Sequence, residues 1–559
     1  MIKKVFNLFH QEFGGLHQAA MVLAASSFLS GLLALLRDRL LAGTFGAGRF
    51  LDVYYASFKI PDFLYTISLV IISVNVLIPF FLKKLSQSPQ EAKKFFDNIF
   101  SIFLFAIIIL TGIAFFLTPW FANMIAPGFS VEEKKQLILM ARILLLSPFL
   151  LGISNLFSGI VQSFNRFFVY ALSPVLYNLG IILGILFFYP YFGIAGLALG
   201  VGLGAFLHAA VQIPSIISFG FFPKIKLKLD FKESWETIKL SIPRTLGLSI
   251  NQLVLIFITA SASLFAAGSI AVFNISYNLQ SVPMAIIGVS FSVAAFPTLA
   301  KLFVSNKKKE FIEHTVTAMR QIIFWSVPMT ILIIVLRAQI VRVIYGYGKF
   351  NWQNTRLTAA GLAIFTVSLL AQSLVVLFVR AFYAAGKTLK PLVVNVISSV
   401  FIIGGSLLAA NVPGIVNFVK PYIETSLRVK NVPGTEMLLL AVFFSVGTII
   451  NACILIKMFN KEVEPVWHYI KKALFEVAVA SLIMGVVTYA SLNFLDKLFN
   501  IRTFLGIFFQ GFVSALFGLG FWFGVLHSAK NRELEEIVSS LKQKFWKTPA
   551  IAPEPEELP

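Results

Sequence analysis

Six charged side chains lie close together in chain that is otherwise apolar. Arg37, Asp38 and Arg39 follow one another near the end of one hydrophobic run, and Asp52, Lys59 and Asp62 open the next. The spacing i, i+7, i+10 places positions 52, 59 and 62 within about a quarter-turn of one helical face. Pro61 falls between the last two and is expected to bend that helix. No nucleophile, base and orienter set accompanies these charges. The chain has no HExxH and no phosphate-cradling GxxxxGK[ST], its six histidines are scattered, and no cofactor motif is present. The chemistry on offer is binding rather than catalysis. Guanidinium and ammonium groups hold anions such as phosphates through charge-assisted hydrogen bonds, and neighbouring carboxylates can orient them. The plainer alternative is that such groups snorkel to water at the membrane interface. Asp38 and Arg39 fit either reading, whereas Lys59, further in, fits a hydrated cavity. Arg142 sits near the outer end of the fourth apolar run and can face either way. Arg244, Arg320 and Arg380 read as interfacial and snorkelling.

The elements that position these groups are set by composition. Of 559 residues, 58% are hydrophobic and 13% charged, about half the charge of a soluble chain. The solvent for such a surface is lipid. Fourteen apolar stretches are long enough to span a bilayer, at about 20 residues each. They run near 19–44, 53–82, 97–122, 137–162, 168–189, 193–219, 238–264, 270–298, 317–343, 357–383, 391–410, 437–457, 471–493 and 504–526. The expected fold is all-α and integral to the membrane. The first stretch is too long for a signal peptide and reads as helix one. The single thiol, Cys453, reads as a small buried apolar side chain.

Net charge is +21, and its placement argues against nucleic acid as a partner. Lysines gather in alternate loops, at 83–84 and 93–94, 224–232, 301–309, 387–390, 457–472 and 530–547. The positive-inside rule makes those loops and both termini cytoplasmic. Residues 411–436, with Pro413, Pro421, Pro433 and Gly434, read as a longer outer loop. Residues 531–547 read as an amphipathic helix lying beside the membrane, and 548–559 as disordered tail.

The spans repeat. Gly48 matches Gly268, Pro79 with Lys83 matches Pro297 with Lys301, and Pro174 with Asn178 matches Pro391 with Asn395, at offsets of 220, 218 and 217 residues. A shift of six helices keeps the two copies in the same orientation. Parallel repeats of this kind are an architecture of alternating-access transporters. The expected organisation is an N-lobe at 1–220, a cytoplasmic linker at 221–235, a C-lobe at 236–460 containing the 411–436 loop, a helix pair at 461–528, and a cytoplasmic helix and tail at 529–559.

Several motifs then resemble one family. Leu36-Arg37-Asp38, Phe45-Gly46-Ala47-Gly48, Asp52 and Phe58-Lys59-Ile60-Pro61 look like the opening signature of the MurJ (MviN) family of lipid II flippases, within the multidrug/oligosaccharidyl-lipid/polysaccharide exporter superfamily. Ala126-Pro127-Gly128-Phe129, Asn165-Arg166-Phe167, Tyr347-Gly348-Lys349-Phe350 and Phe382-Tyr383 follow in order. The resemblance implies two six-helix lobes around a basic cavity and a last helix pair that takes a lipid tail. It implies a bacterial inner-membrane protein without enzymatic activity. The implied substrate is an undecaprenyl-pyrophosphate-linked disaccharide pentapeptide, moved from the inner to the outer leaflet.

The sequence departs from the family where cations are expected. Gly31 and Tyr65 stand at family arginine positions, as does Asn278 on helix eight. The resemblance then makes Arg37 and Lys59 the head-group ligands, Asp38 and Asp52 orienting or gating groups, and Asn278 a polar replacement contact, with Arg39, Asp62 and Arg142 completing the charge inventory. Helices seven and eleven lack buried acids, which argues against sodium coupling and leaves another ion gradient or the membrane potential. Rival readings stay open. They are a flippase for a different polyprenyl-linked glycan, a cation-coupled exporter of amphipathic drugs, and a non-transporting scaffold for cell-wall enzymes.

Overall fold

A computed structural model describes residues 16–72, 74–462, 466–500 and 502–546, and these form helices joined by turns, with no strand among them. Helix α1 (Leu16–Phe45) leads through a glycine turn to α2 (Arg49–Ser57), α3 (Lys59–Ile72) and α4 (Val74–Leu85). Then come α5 (Pro89–Ile125), α6 (Val131–Leu144), α7 (Leu146–Ser163), α8 (Phe167–Leu183), α9 (Ile194–Ala210), α10 (Phe231–Ser263) and α11 (Ser269–Met284). Of the later helices, α12 (Lys308–Tyr345), α13 (Leu389–Asn411), α14 (Pro413–Leu427), α15 (Met437–Glu462), α16 (Trp467–Leu495), α17 (Phe504–Ser528) and α18 (Arg532–Trp546) matter below.

Among the described residues, eleven helices are long and apolar enough to cross a membrane, or twelve if the bent pair Trp352–Val367 and Leu369–Ala384 is one span. The expected fourteen is not reached by length and apolarity alone. Helix α1 covers the stretch at 19–44, and the stretch at 53–82 is divided into α2, α3 and α4. The break at Phe58 follows from Pro61, which has no N–H to offer the Ser57 carbonyl four residues back.

The chain forms two compact units. One comprises the chain up to Leu279 with Ile344–Phe365 and Thr388–Asn451. Its core includes an aromatic cluster in which Phe81, Phe95, Phe96, Phe103 and Phe157 are buried. Its helices α8 and α9 approach to backbone contact, because glycines face each other there. A Cβ on Gly180 would lie 2.3 Å from the Gly204 Cα. Small residues permit such packing in lipid, where no hydrophobic force drives helices together. The repeated asparagines serve similar ends. Asn178 joins α8 to α1, and Asn395 accepts from Asn451 Nδ2 at 2.8 Å, joining α13 to α15.

The second unit comprises Gln280–Val343, Thr366–Lys387 and the chain from Ala452. Phe324 of α12, Val477 and Met484 of α16, and Trp522 and Leu526 of α17 form its buried cluster, and Leu534 of α18 packs into it. Helix α18 is therefore docked on protein through its first turns rather than lying only on lipid. Arg320 does not snorkel. It pairs with Glu533, whose side chain is 3% exposed. The 548–559 tail lies outside the described residues.

Two further expectations are corrected. Segment 411–436 is not simply loop, since α14 occupies Pro413–Leu427. Proline at the first helical position is compatible with a helix start, so Pro413 opens the element instead of breaking it. Cys453 is exposed rather than buried.

Candidate functional site

The site in the first unit is best built from α1 outward. Arg37 Nε donates to Asp38 Oδ1 at 2.8 Å, and Nη2 lies 2.8 Å from the same oxygen. Arg37 Nη1 donates to Asn178 Oδ1 at 3.0 Å. Asn178 in turn donates to Ser30 Oγ and to the Pro174 carbonyl, at 3.2 and 3.1 Å, so α8 holds the guanidinium against α1. Asp38 is 4% exposed, and its other oxygen accepts from Asn278 Nδ2 at 3.4 Å. The structure thus brings Arg37, Asp38 and Asn278 into one network. A guanidinium has five N–H groups in a fixed fork. These contacts leave donors over on a side chain that is 21% exposed.

Lys59 opens α3 just past the break and is 6% exposed. Asp62 follows one turn later on the same face and is the charge that acts on it. Burying an ammonium costs several kcal/mol even after relaxation, so packing alone does not favour a lysine here. Tyr54 and Tyr177 lie within electrostatic reach of both Arg37 and Asp62. The charges of α1 and α3 therefore share one polar neighbourhood. Tyr65 Oη accepts from Asn155 Nδ2 at 2.6 Å.

Asp52 is placed differently. It is fully buried, and its two oxygens accept from the backbone N–H groups of Gly268 and Ala271, at 2.7 and 2.8 Å. Those N–H groups open α11. Asp52 therefore caps a helix from 216 residues away, where the partial positive charge of the helix terminus favours a carboxylate. Arg49 lies 3.6 Å from Asp52 and 3.3 Å from Glu133, and stands over the Phe129 ring.

This cap belongs to a seal made of turns. Gly268 has φ +94°, and a Cβ there would sit 2.2 Å from the Ala47 carbonyl oxygen. Only glycine allows both that backbone and that approach. Lys349 N–H donates to the Gly43 carbonyl at 2.7 Å, and a Cβ on Gly348, at φ +60°, would sit 2.3 Å from that carbonyl oxygen. Gly128 N–H donates to Ser263 Oγ at 3.1 Å. The 45–48, 126–129 and 347–350 motifs, far apart in sequence, thus meet at one end of the unit.

Arg39 stands over the Tyr347 ring at 5.7 Å, at the edge of the seal. Arg142 is not brought to the network. Its Nε donates to the Phe115 carbonyl at 3.2 Å, and its guanidinium stacks over the Phe115 ring. Sequence reasoning took Asn178 only as a repeat landmark and passed over Arg49, Tyr54 and Tyr177. For Asn178 the signal was present, because an asparagine in the middle of a span needs a hydrogen-bond partner.

Comparison with known proteins places the chain in a family. The family model described as "Lipid II flippase MurJ" matches residues 41–510. The chain is 30% identical over 383 residues to a protein of Buchnera aphidicola subsp. Schizaphis graminum named probable lipid II flippase MurJ, covering 66% of this chain and 73% of that one. Among solved structures it resembles lipid II flippase MurJ in an inward closed conformation, with a TM-score of 0.71 and 23% identity over 90% of this chain and 99% of that one. An inward-facing multidrug resistance MATE family transporter of the MOP superfamily shares the fold more distantly, with a TM-score of 0.61 and 15% identity over 82% of this chain and 99% of that one. With its signature turns assembled into one seal and the family match spanning most of its length, the chain belongs to the MurJ family.

Proposed function

We propose that this chain translocates lipid II, the undecaprenyl-pyrophosphate-linked peptidoglycan precursor, from the inner to the outer leaflet of a bacterial inner membrane by alternating access. Family membership supports the substrate. The observation that carries the mechanism is the seal, where three signature turns close on one another about two turns of α1 beyond Arg37. With the loops rich in lysine facing the cytoplasm, the seal lies on the outer side. A chain shut there receives its substrate from within.

Arg37 and Lys59 are the head-group ligands in this proposal. Arg37 offers its remaining N–H groups to the pyrophosphate, and Lys59 offers a buried ammonium. Asp38, Asn178 and Asn278 hold the guanidinium in place. Asp52 acts on the seal rather than on substrate. The polyprenyl tail stays in lipid while the sugar-peptide head crosses in water. No catalytic step is required, and the driving force is an ion gradient or the membrane potential.

One observation favours a different polyprenyl-linked glycan. Arg37 and Asp38 neutralise each other, and Lys59 is followed by Asp62, so the site is less cationic than a pyrophosphate trap would be. A single experiment separates the readings. The host's own flippase is depleted, this chain is expressed, and lipid II reaching the outer leaflet is measured. Rescue is expected, and Arg37→Ala with Lys59→Ala should abolish it. A well-expressed, membrane-inserted wild type that gives no rescue overturns the proposal. Rescue by the double variant overturns the site.

A further inference from the structure

The segment between Phe222 and Leu229 is neither helix nor free loop. It lies along the third and fourth turns of α5 and bends at Leu227 and Lys228, and buried polar side chains of α5 grip its backbone. Asp97 Oδ1 accepts from Lys224 N–H and Ser101 Oγ from Lys226 N–H, both at 2.8 Å. Asn98 both accepts from Asp230 N–H at 2.9 Å and donates to the Asp230 carbonyl at 2.7 Å. Asp97, Asn98 and Ser101 are each 5% exposed or less. The segment is a strap held in one conformation.

What this rigid strap displays is unusual. Phe222, Ile225 and Leu227 are 50%, 60% and 87% exposed, and Phe231 and Trp235 just beyond are also exposed. Lys224 and Lys228 alternate with them and are exposed as well. Between 222 and 232 there are four lysines, at 224, 226, 228 and 232, and one acid, Asp230. Lys83, Lys84, Lys93 and Lys94 lie at the same end of the unit. Of the acids there, Asp97 pairs with Lys93 and Glu91 with Lys94.

We propose that the strap is a docking surface for the anionic head groups of the inner leaflet, with its apolar side chains seated at the acyl boundary. Three arguments select this occupant. Large apolar side chains held outward on fixed backbone need an apolar medium. Lysines interleaved with them match the negative charge of that leaflet and add to binding. The surface is also continuous with the membrane itself, since one candidate span ends at Ser218 and another begins at Pro89. The orientation rests on the proposed function, but the lipid contact does not.

The test uses the full chain in proteoliposomes. Leu227→Cys in a Cys453→Ser background carries a polarity-sensitive bimane probe. Lipid-borne quenchers are supplied on phosphatidylglycerol or on phosphatidylcholine. Blue-shifted emission is expected, with phosphatidylglycerol enriched around the probe by roughly tenfold over phosphatidylcholine. Lys224→Gln, Lys228→Gln and Lys232→Gln together, or high salt, should erase that preference and leave the thermal transition unchanged. Aqueous emission in both lipids overturns the proposal. Equal quenching by the two lipids overturns its anionic part, and protection only on adding a soluble protein points to another partner and overturns it too. A strap that binds lipid in a chain that fails to rescue lipid II transport refutes the function and not the strap.

Discussion

Asp38 and Asp52 are both aspartates in apolar surroundings, and their neighbours set them different tasks. Asp38 shares one oxygen with Arg37 and offers the other to Asn278. Asp52 gives both oxygens to the start of α11. An unmet buried N–H costs about 1–3 kcal/mol. Asp52→Ala strands two of them and is therefore expected to lower unfolding stability in detergent by about 2–3 kcal/mol. Asp52→Asn retains one carbonyl acceptor and should lose roughly half as much. Equal stability for the alanine variant and wild type would refute the capping role.

At the scale of elements, the C-terminal helix shows how a charge can be structural. Glu533 is buried against Arg320 of α12, Asn531 donates to Glu476 of α16 at 2.7 Å, and Leu534 enters the cluster around Phe324 and Trp522. Removing one partner of a buried ion pair costs about 3–5 kcal/mol, whereas replacing both by apolar residues is often neutral. Arg320→Met alone should therefore destabilise strongly, and Arg320→Met with Glu533→Leu should return to within about 1 kcal/mol of wild type. Thermal unfolding of the two variants decides this. Identical losses in both would mean that the pair is not the unit that holds α18.

For the whole molecule, the testable statement is which side faces the cytoplasm. Ser305 and Asn417 are exposed and lie in segments of opposite loop class. In a Cys453→Ser background, a membrane-impermeant thiol reagent should reach Ser305→Cys only from the cytoplasm and Asn417→Cys only from outside. Labelling of both from one side would contradict the orientation and, with it, the direction of transport. Reversed labelling of the two would instead make the seal and the strap exchange sides together.

Much of this protein was legible in its sequence, for a local reason. The membrane class follows from a chain that is 58% hydrophobic and 13% charged, because each span satisfies its own backbone within one contiguous stretch. The break near Pro61 follows from a single missing N–H. The charged residues of α1 and α3 were also visible, because a charge in an apolar run is conspicuous. What those charges bind to was not visible. Asp52 meets Gly268 across 216 residues, Arg37 meets Asn178 across 141, and Arg320 meets Glu533 across 213. No periodicity spans such separations. A carboxylate destined for a helix cap and one destined for a guanidinium look alike in the chain, and only the packing of helices decides which partner arrives.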